Sequence, residues 1–121
     1  IKVNNMIDEV KQMFINIDDV IVIGDTNIER KYGFSTDDFG SCLGLKKINN
    51  NQNTTAKGRT DLQPQIGKAN KFFEEEKDAI FYSENLKETD VKLFPNKSGE
   101  FYPNGEWLSD HKMLSVTLYY D

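Results

Sequence analysis

The strictly alternating segment 114–120 constrains the fold more than any other part of this 121-residue sequence. Apolar side chains occupy every second position of the segment, at Leu114, Val116, Leu118 and Tyr120. Because successive side chains of a strand point to opposite faces of a sheet, this pattern predicts a half-buried strand. The apolar face of such a strand requires a second layer of structure to cover it.

Four other segments carry recognisable patterns. Apolar residues at helical spacing predict an amphipathic helix over residues 5–14. The β-branched run Val20–Ile23 is too short for a helix and is apolar on both faces, which predicts a buried strand. Residues 78–82 and 91–94 predict two further strands. The order of helix, strand, long loop and further strands indicates a layered arrangement of α+β or α/β type.

The polar segments between these elements are less specific. The run Asn49–Asn53 predicts an exposed loop, since polar residues without periodicity are typical of loops. The three consecutive glutamates Glu74–Glu76 predict a solvated helix end. They are a poor metal site in that setting, because consecutive helical residues do not face one another.

Composition narrows the class of protein. The net charge of −5 is unlike that of a passive nucleic-acid binder, but it suits an enzyme that meets phosphate through a bound cation. No apolar run approaches the roughly 18 residues that span a bilayer, so we expect no transmembrane segment in this chain. The single cysteine, Cys42, cannot form a disulfide within the chain, and its role stays open.

Two short polar motifs lie at the ends of predicted strands. Gly24-Asp25-Thr26-Asn27 follows the first strand, and Ser109-Asp110-His111 precedes the last one. Ligand sites in layered sheets favour such strand ends. Each motif alone is also typical of an ordinary turn or helix cap, because Gly, Asp, Asn and Ser all favour turns. His111, the only histidine, is by itself as compatible with a structural role.

Three motifs follow one another along the chain: the strand with Gly-Asp-x-Asn, the segment Asp78–Phe81, and Ser-Asp-His. In this order they resemble the DNase I-like endonuclease/exonuclease/phosphatase superfamily. The resemblance covers nearly all of residues 1–121 but only about the C-terminal half of the family domain. It implies an α+β fold, the four-layer α/β/β/α sandwich, of which this chain supplies one sheet and a flanking helix. It also implies a companion polypeptide that carries the N-terminal half with a metal-binding Glu.

Two departures from the family pattern are visible. Thr26 stands where an aromatic or aliphatic residue is common, and Lys112 and Met113 follow the histidine where Pro and Val are common. Neither change removes a reactive group. Thr26 and the Asn- and Lys-rich composition favour similarity to the nucleases of mollicutes.

The resemblance implies divalent-metal-dependent hydrolysis of a phosphodiester by in-line attack of water. Asp25 matches the carboxylate that orients or deprotonates the water, and Asn27 matches an amide that donates to a phosphate oxygen. Asp110 matches a ligand of Mg²⁺, with Mn²⁺ or Ca²⁺ as alternatives. His111 matches the histidine beside the scissile phosphate. Asp78 matches the carboxylate that hydrogen-bonds this histidine and raises its pKa.

Candidate substrate contacts lie outside these motifs. Lys57, Arg59 and Lys68 form a basic cluster that would hold a nucleic-acid backbone, although a solvated loop explains them equally well. Trp107 would stack on a base or sugar, with core packing as the alternative.

The predicted substrate is nucleic acid, DNA and/or RNA, and the predicted activity is that of a nuclease. Residues 75–80 lack the Pro-x-Trp-Cys-Asp-Arg motif typical of inositol polyphosphate phosphatases. A sphingomyelinase-type phosphodiesterase is the alternative enzyme, for which Phe101–Pro103 is the nearest candidate for an exposed aromatic hairpin. A catalytically inactive binding module of the same fold is the alternative from another class. Endo- and exo-cleavage stay open, and a secreted or cell-surface location is favoured over a cytoplasmic one.

Overall fold

The computed structural model describes residues 2–13, 15–16, 18–50, 53–58, 72–96, 102 and 105–121. The helices within these ranges are α1 (Lys2–Met13) and α2 (Thr36–Leu43), and a 3₁₀ helix covers Arg30–Tyr32. The strands are β1 (Ile21–Asp25), β2 (Lys46–Lys47), β3 (Thr55–Gly58), β4 (Phe72–Glu75), β5 (Asp78–Tyr82), β6 (Leu86–Phe94) and β7 (Met113–Tyr120). Helices and antiparallel sheets together make the chain α+β, as predicted.

The described strands form three small antiparallel sheets rather than the single sheet that the sequence predicted. β1 and β2 flank β5 in a three-stranded sheet, while β3 pairs with β4 and β6 pairs with β7. The predicted strand at 91–94 is the end of the longer strand β6. An irregularity between Thr89 and Lys92 interrupts the ladder of β6, with Asp90 at a φ of 52°. Such a bulge bends a strand and hides its continuity from a period-2 pattern.

The core lies on both sides of β5. Ile80 and Tyr82 point to one face, where they pack with Ile48, Leu86 and the half-buried side chains of β6 and β7. Phe81 points to the other face and contacts Phe39 of α2 at 5.5 Å between ring centroids. Alternation along one strand therefore joins three layers, which are α2, the three-stranded sheet and the β6–β7 pair.

The final strand confirms the alternating pattern. Leu114, Val116 and Leu118 are half-buried against the core, and the residues between them are exposed. Tyr120 differs from the prediction because its side chain is exposed and its hydroxyl donates to Asp19 Oδ2 at 2.6 Å. Neither described helix is long and apolar enough to cross a membrane.

The prediction of a strand buried on both faces was wrong for β1. Ile21 is 49% exposed and Ile23 is 70% exposed. β1 lies at the edge of its sheet and pairs with β5 alone. Ile21 pairs with Tyr82 and Ile23 pairs with Ile80, so all four side chains lie on one face of the sheet. Among the described residues, β6 and β7 cover Ile80 and Tyr82 of β5 and leave Ile21 and Ile23 of β1 exposed.

Two local predictions require correction between α2 and β5. The sequence analysis left α2 unassigned, although Ser35 and Asp38 form a capping box at its start and Gly44 ends it at a φ of 70°. Glu74 and Glu75 belong to β4 and not to a helix end, and Glu76 follows that strand. Long-range ion pairs with basic side chains, Glu75 with Arg30 and Glu76 with Lys47, stabilise this arrangement.

Candidate active site

Two aspartates face each other across neighbouring strands. Asp25 is the last residue of β1 and Asp78 is the first residue of β5, and the antiparallel register pairs them directly. Paired residues of an antiparallel ladder project from the same face. Two carboxylates so close repel each other unless a positive group lies near them.

The imidazole of His111 lies between the two carboxylates and is positive when protonated. Its Nδ1 lies 2.8 Å from Asp78 Oδ2, and its Nε2 lies 3.7 Å from Asp25 Oδ2. Asp25, Asp78 and His111 each offer an atom within 4.8 Å of the others, and we name these three residues the Asp–His–Asp cluster. The predicted hydrogen bond between Asp78 and His111 is present.

The charge state of His111 follows from its surroundings. Partial burial lowers the pKa of the imidazole, but the hydrogen bond and charge of Asp78 outweigh that effect, and the charges of Asp25 and Asp110 add to it. The pKa of His111 is therefore raised above its ordinary value of 6.5. A protonated imidazole donates from both nitrogens, so Nδ1 binds Asp78 while Nε2 is directed towards Asp25.

The backbone of residues 109–111 is held on two sides. Ser109 Oγ accepts from the backbone N–H of His111 at 3.1 Å, and Trp107 Nε1 donates to the His111 carbonyl at 2.7 Å. On the other side, the N–H of Ala56 donates to the Asp110 carbonyl at 3.2 Å, and Thr55 forms a β-bridge with His111. These bonds give Ser109 and Trp107 positioning roles towards the histidine.

Asp110 lies beside the cluster without belonging to it. Its side chain is half-exposed, and its negative charge contributes to the raised pKa of His111. A carboxylate at this position suits a hard cation, because Mg²⁺ prefers oxygen ligands of this kind.

Asn27 does not continue the extended conformation of β1. An extended segment would place Asn27 and Asp25 on one face, but Asn27 has a φ of 53° in the left-handed region. Its N–H donates to Asp25 Oδ1 at 2.7 Å, and its side-chain Oδ1 accepts from Lys77 Nζ at 3.2 Å. The chain therefore turns back over Asp25, and alternation along a strand does not describe the motif.

The hydrogen bonds of Thr26 explain why a threonine suits this position of the motif. Its Oγ1 and its backbone N–H both donate to the Lys77 carbonyl at 2.7 Å. Thr26 Oγ1 also accepts from the Ile28 N–H at 3.3 Å. These bonds tie the end of β1 to the residue that precedes Asp78, which an aliphatic side chain at position 26 could do only through its backbone.

Among the predicted substrate contacts, only Trp107 has a described side chain. Its indole is half-buried and meets Phe94 edge-on at 5.7 Å between ring centroids, so packing accounts for it and base stacking stays a prediction. The backbone of Lys57 lies in β3, but its side chain lies outside the described residues, as do Arg59 and Lys68.

A depression of about 190 Å³ adjoins the cluster between β1 and β7. Two carboxylates, one lysine and several apolar side chains line it, among them Asp25, Asp78, Lys112, Ile23, Ile80 and Leu114. The exposed edge of β1 therefore borders the same surface that carries the cluster.

Sequence analysis missed Thr54, which contacts the segments of both Asp78 and His111. Its side chain is 0% exposed, and its hydroxyl accepts from the backbone N–H of Asp78 at 2.9 Å. It directly follows the Asn-rich run, which reads as a loop, so no local pattern marks it.

Comparisons with family models, curated proteins and solved structures found no match for this chain.

Proposed function

We propose that this chain forms part of a divalent-metal-dependent phosphodiesterase whose substrate is nucleic acid. The observation that carries the proposal is the Asp–His–Asp cluster. Its three residues come from segments far apart in sequence, and they are the residues to which the family resemblance assigns the chemistry. A chance set of turn residues has no reason to converge on the only histidine of the chain.

The chemistry assigned to each residue follows from charge and position. Asp78 holds Nδ1 of His111, so the Nε2 proton is directed towards the reaction space. Asp25 is exposed and accepts a proton from the attacking water. As the bond from water oxygen to phosphorus forms and the bond to the leaving oxygen breaks, His111 gives its Nε2 proton to that oxygen. The amide of Asn27 donates to a phosphate oxygen.

The residues fit a hard divalent cation in this neighbourhood. Asp110 offers a carboxylate oxygen, the ligand type that Mg²⁺ prefers, and Mn²⁺ or Ca²⁺ takes the same ligand type. Asp78 already holds Nδ1 of His111 at 2.8 Å, so we assign this residue to the reaction and not to the cation. When bound, the cation supplies positive charge for the phosphate, which a chain of net charge −5 otherwise lacks.

The proposal includes a companion polypeptide that carries the N-terminal half of the domain. Ile21 and Ile23 leave apolar surface exposed on the face that bears the cluster. Leaving a large aliphatic side chain in water forgoes about 1.5–3 kcal/mol of burial. A second sheet laid on this face would bury both residues and bring a further metal-binding carboxylate near Asp110.

One observation favours a sphingomyelinase-type phosphodiesterase as the second candidate. Three exposed apolar residues lie near His111. Leu108 and Met113 are its neighbours in the sequence, and Phe94 pairs with Met113. Leu108 is 87% exposed. Exposed apolar side chains near a phosphodiesterase site would suit a lipid surface. The nucleic-acid substrate remains the first choice because Tyr102, the one described residue of the predicted hairpin Phe101–Pro103, is buried. Phe101 and Pro103 lie outside the described residues.

The test is a substrate comparison with the complete protein, including its companion half. We expect cleavage of single- or double-stranded DNA or of RNA with Mg²⁺, and loss of cleavage in excess EDTA that added Mg²⁺ reverses. Sphingomyelin vesicles under the same conditions distinguish the second candidate. Hydrolysis of sphingomyelin with intact nucleic acids would replace the proposal, and full cleavage in EDTA would refute its metal dependence.

A further inference from the structure

Thr54 lies at the junction of the two segments that carry Asp78 and His111. Its hydroxyl accepts from the backbone N–H of Lys77 at 3.0 Å and from that of Asp78 at 2.9 Å. A hydroxyl oxygen has two lone pairs, so it accepts both bonds at once. Two buried donors at the start of β5 are thereby satisfied by one side chain.

The backbone of Thr54 reaches the other segment. Its carbonyl accepts from the N–H of Lys112 at 2.7 Å, directly after His111. Its own N–H donates to the Glu75 carbonyl at 2.9 Å. One fully buried residue therefore binds the chain just before Asp78, at Asp78 and just after His111.

We propose that Thr54 is a positioning residue, whose buried hydroxyl fixes the backbone of Asp78 so that its carboxylate meets Nδ1 of His111. The proposal rests on the proposed function for its catalytic consequence. Its structural content stands on the four hydrogen bonds of Thr54 alone. The same peptide between Lys77 and Asp78 is also held at its carbonyl, to which the N–H and the hydroxyl of Thr26 both donate.

Removal of this hydroxyl has a specific consequence. Valine has nearly the same shape as threonine but cannot accept a hydrogen bond, so the N–H groups of Lys77 and Asp78 would be buried without this acceptor. The peptide would move to recover a partner, and the 2.8 Å contact of Asp78 with His111 would lengthen. Small displacements of an orienting group reduce the rate strongly.

The neighbouring threonine supplies a matched control. Thr55 is also buried, and its hydroxyl donates to the Glu75 carbonyl at 3.1 Å. Its β-bridge with His111 is a backbone pairing, which a valine at this position keeps. Thr55→Val therefore removes a buried hydroxyl one residue away and leaves the start of β5 bonded. A loss of activity caused only by general destabilisation would appear in both variants.

The experiment compares Thr54→Val, Thr54→Ser and Thr55→Val in the complete protein. We expect Thr54→Val to lower kcat by about 10- to 100-fold with little change in KM, and Thr54→Ser to stay within roughly threefold of the wild type. Thr55→Val should keep kcat within roughly threefold while its thermal stability falls by an amount similar to that of Thr54→Val. If Thr54→Val does not fold, Thr54→Cys replaces it, since a thiol is a weaker acceptor of similar size.

A second measurement does not depend on activity. Nuclear magnetic resonance follows the Nδ1–H proton of His111, assigned by its absence in His111→Gln, and the hydrogen exchange of the Asp78 amide. We expect a downfield Nδ1–H signal and a protected Asp78 amide in the wild type, Thr54→Ser and Thr55→Val, and loss of both in the hydroxyl-free variant at position 54. Unchanged signals in that variant would overturn the positioning role even if the wild type cleaves nothing. An inactive wild type with the expected signals would refute the proposed function alone.

Discussion

The two edges of the three-stranded sheet differ in how their side chains are covered. At the β2 edge, Ile48 is 0% exposed, and the Lys47 ammonium is paired with Glu76 and with Asp37. At the β1 edge, Ile23 is 70% exposed and the side chain of Asp25 is open to solvent. Both strands pair with β5, so the difference does not arise from backbone hydrogen bonding.

The comparison separates stability from function within one sheet. The β2 edge uses its side chains against α2, β6 and β7, and it buries them without help from outside the described residues. The β1 edge leaves charged and apolar groups exposed, and the proposed function assigns them to a substrate, a cation and a companion polypeptide. Marginal global stability allows one edge to stay incompletely packed only if the other is well packed.

The largest expected effect is a loss of cleavage activity when the imidazole of the cluster is removed. His111→Gln removes the only imidazole of the cluster, so nucleic-acid cleavage by the complete protein should fall by about 10²–10⁴-fold. The thermal midpoint should change little, because the side chain is partly exposed. Asp90→Asn is the control, since it changes an exposed residue with a φ of 52°, a backbone that asparagine tolerates. Equal activity of His111→Gln and wild type would remove the cluster from the mechanism.

Truncating one isoleucine at each edge of the sheet tests directly whether the two edges differ in side-chain burial. Ile48→Ala should cost about 2–5 kcal/mol in the free energy of unfolding, because the side chain is fully buried in the core. Ile23→Ala in the complete protein should cost a comparable amount only if a companion polypeptide covers the β1 edge. Denaturant titration of both variants measures the two costs. A cost below about 0.5 kcal/mol for Ile23→Ala would mean that this side chain stays in water in the complete protein.

A smaller effect concerns the pH dependence of activity. The pKa of His111 is raised chiefly by the hydrogen bond and charge of Asp78 against the lowering effect of burial, so Asp78→Asn should lower that pKa. A residue that acts as a protonated donor loses activity as pH rises through its pKa. The alkaline limb of the pH–rate profile should therefore move to lower pH in Asp78→Asn, with a rate loss of about tenfold or more. An unchanged profile would show that Asp78 does not govern His111.

Local periodicity predicted the elements whose environment is regular. Alternation gave the boundaries of β7 to within a residue, and the apolar segment 78–82 coincides with β5. The family resemblance singled out five residues, Asp25, Asn27, Asp78, Asp110 and His111. The structure brings Asp25, Asp78 and His111 together in one cluster. The α2 helix was not predicted, although its capping box is a local signal.

Tertiary structure alone decided which faces are covered. A β-branched run looks the same at the centre of a sheet and at its edge, so the exposure of Ile21 and Ile23 depends on neighbours from elsewhere in the chain. The strand at Glu74 and Glu75 likewise depends on pairing with β3. The role of Thr54 depends on donors that lie 23 and 24 positions further along the chain and is therefore absent from any local window. Patterns along a sequence report the conformation of the backbone, whereas burial and hydrogen-bond partners are properties of segments that meet only after folding.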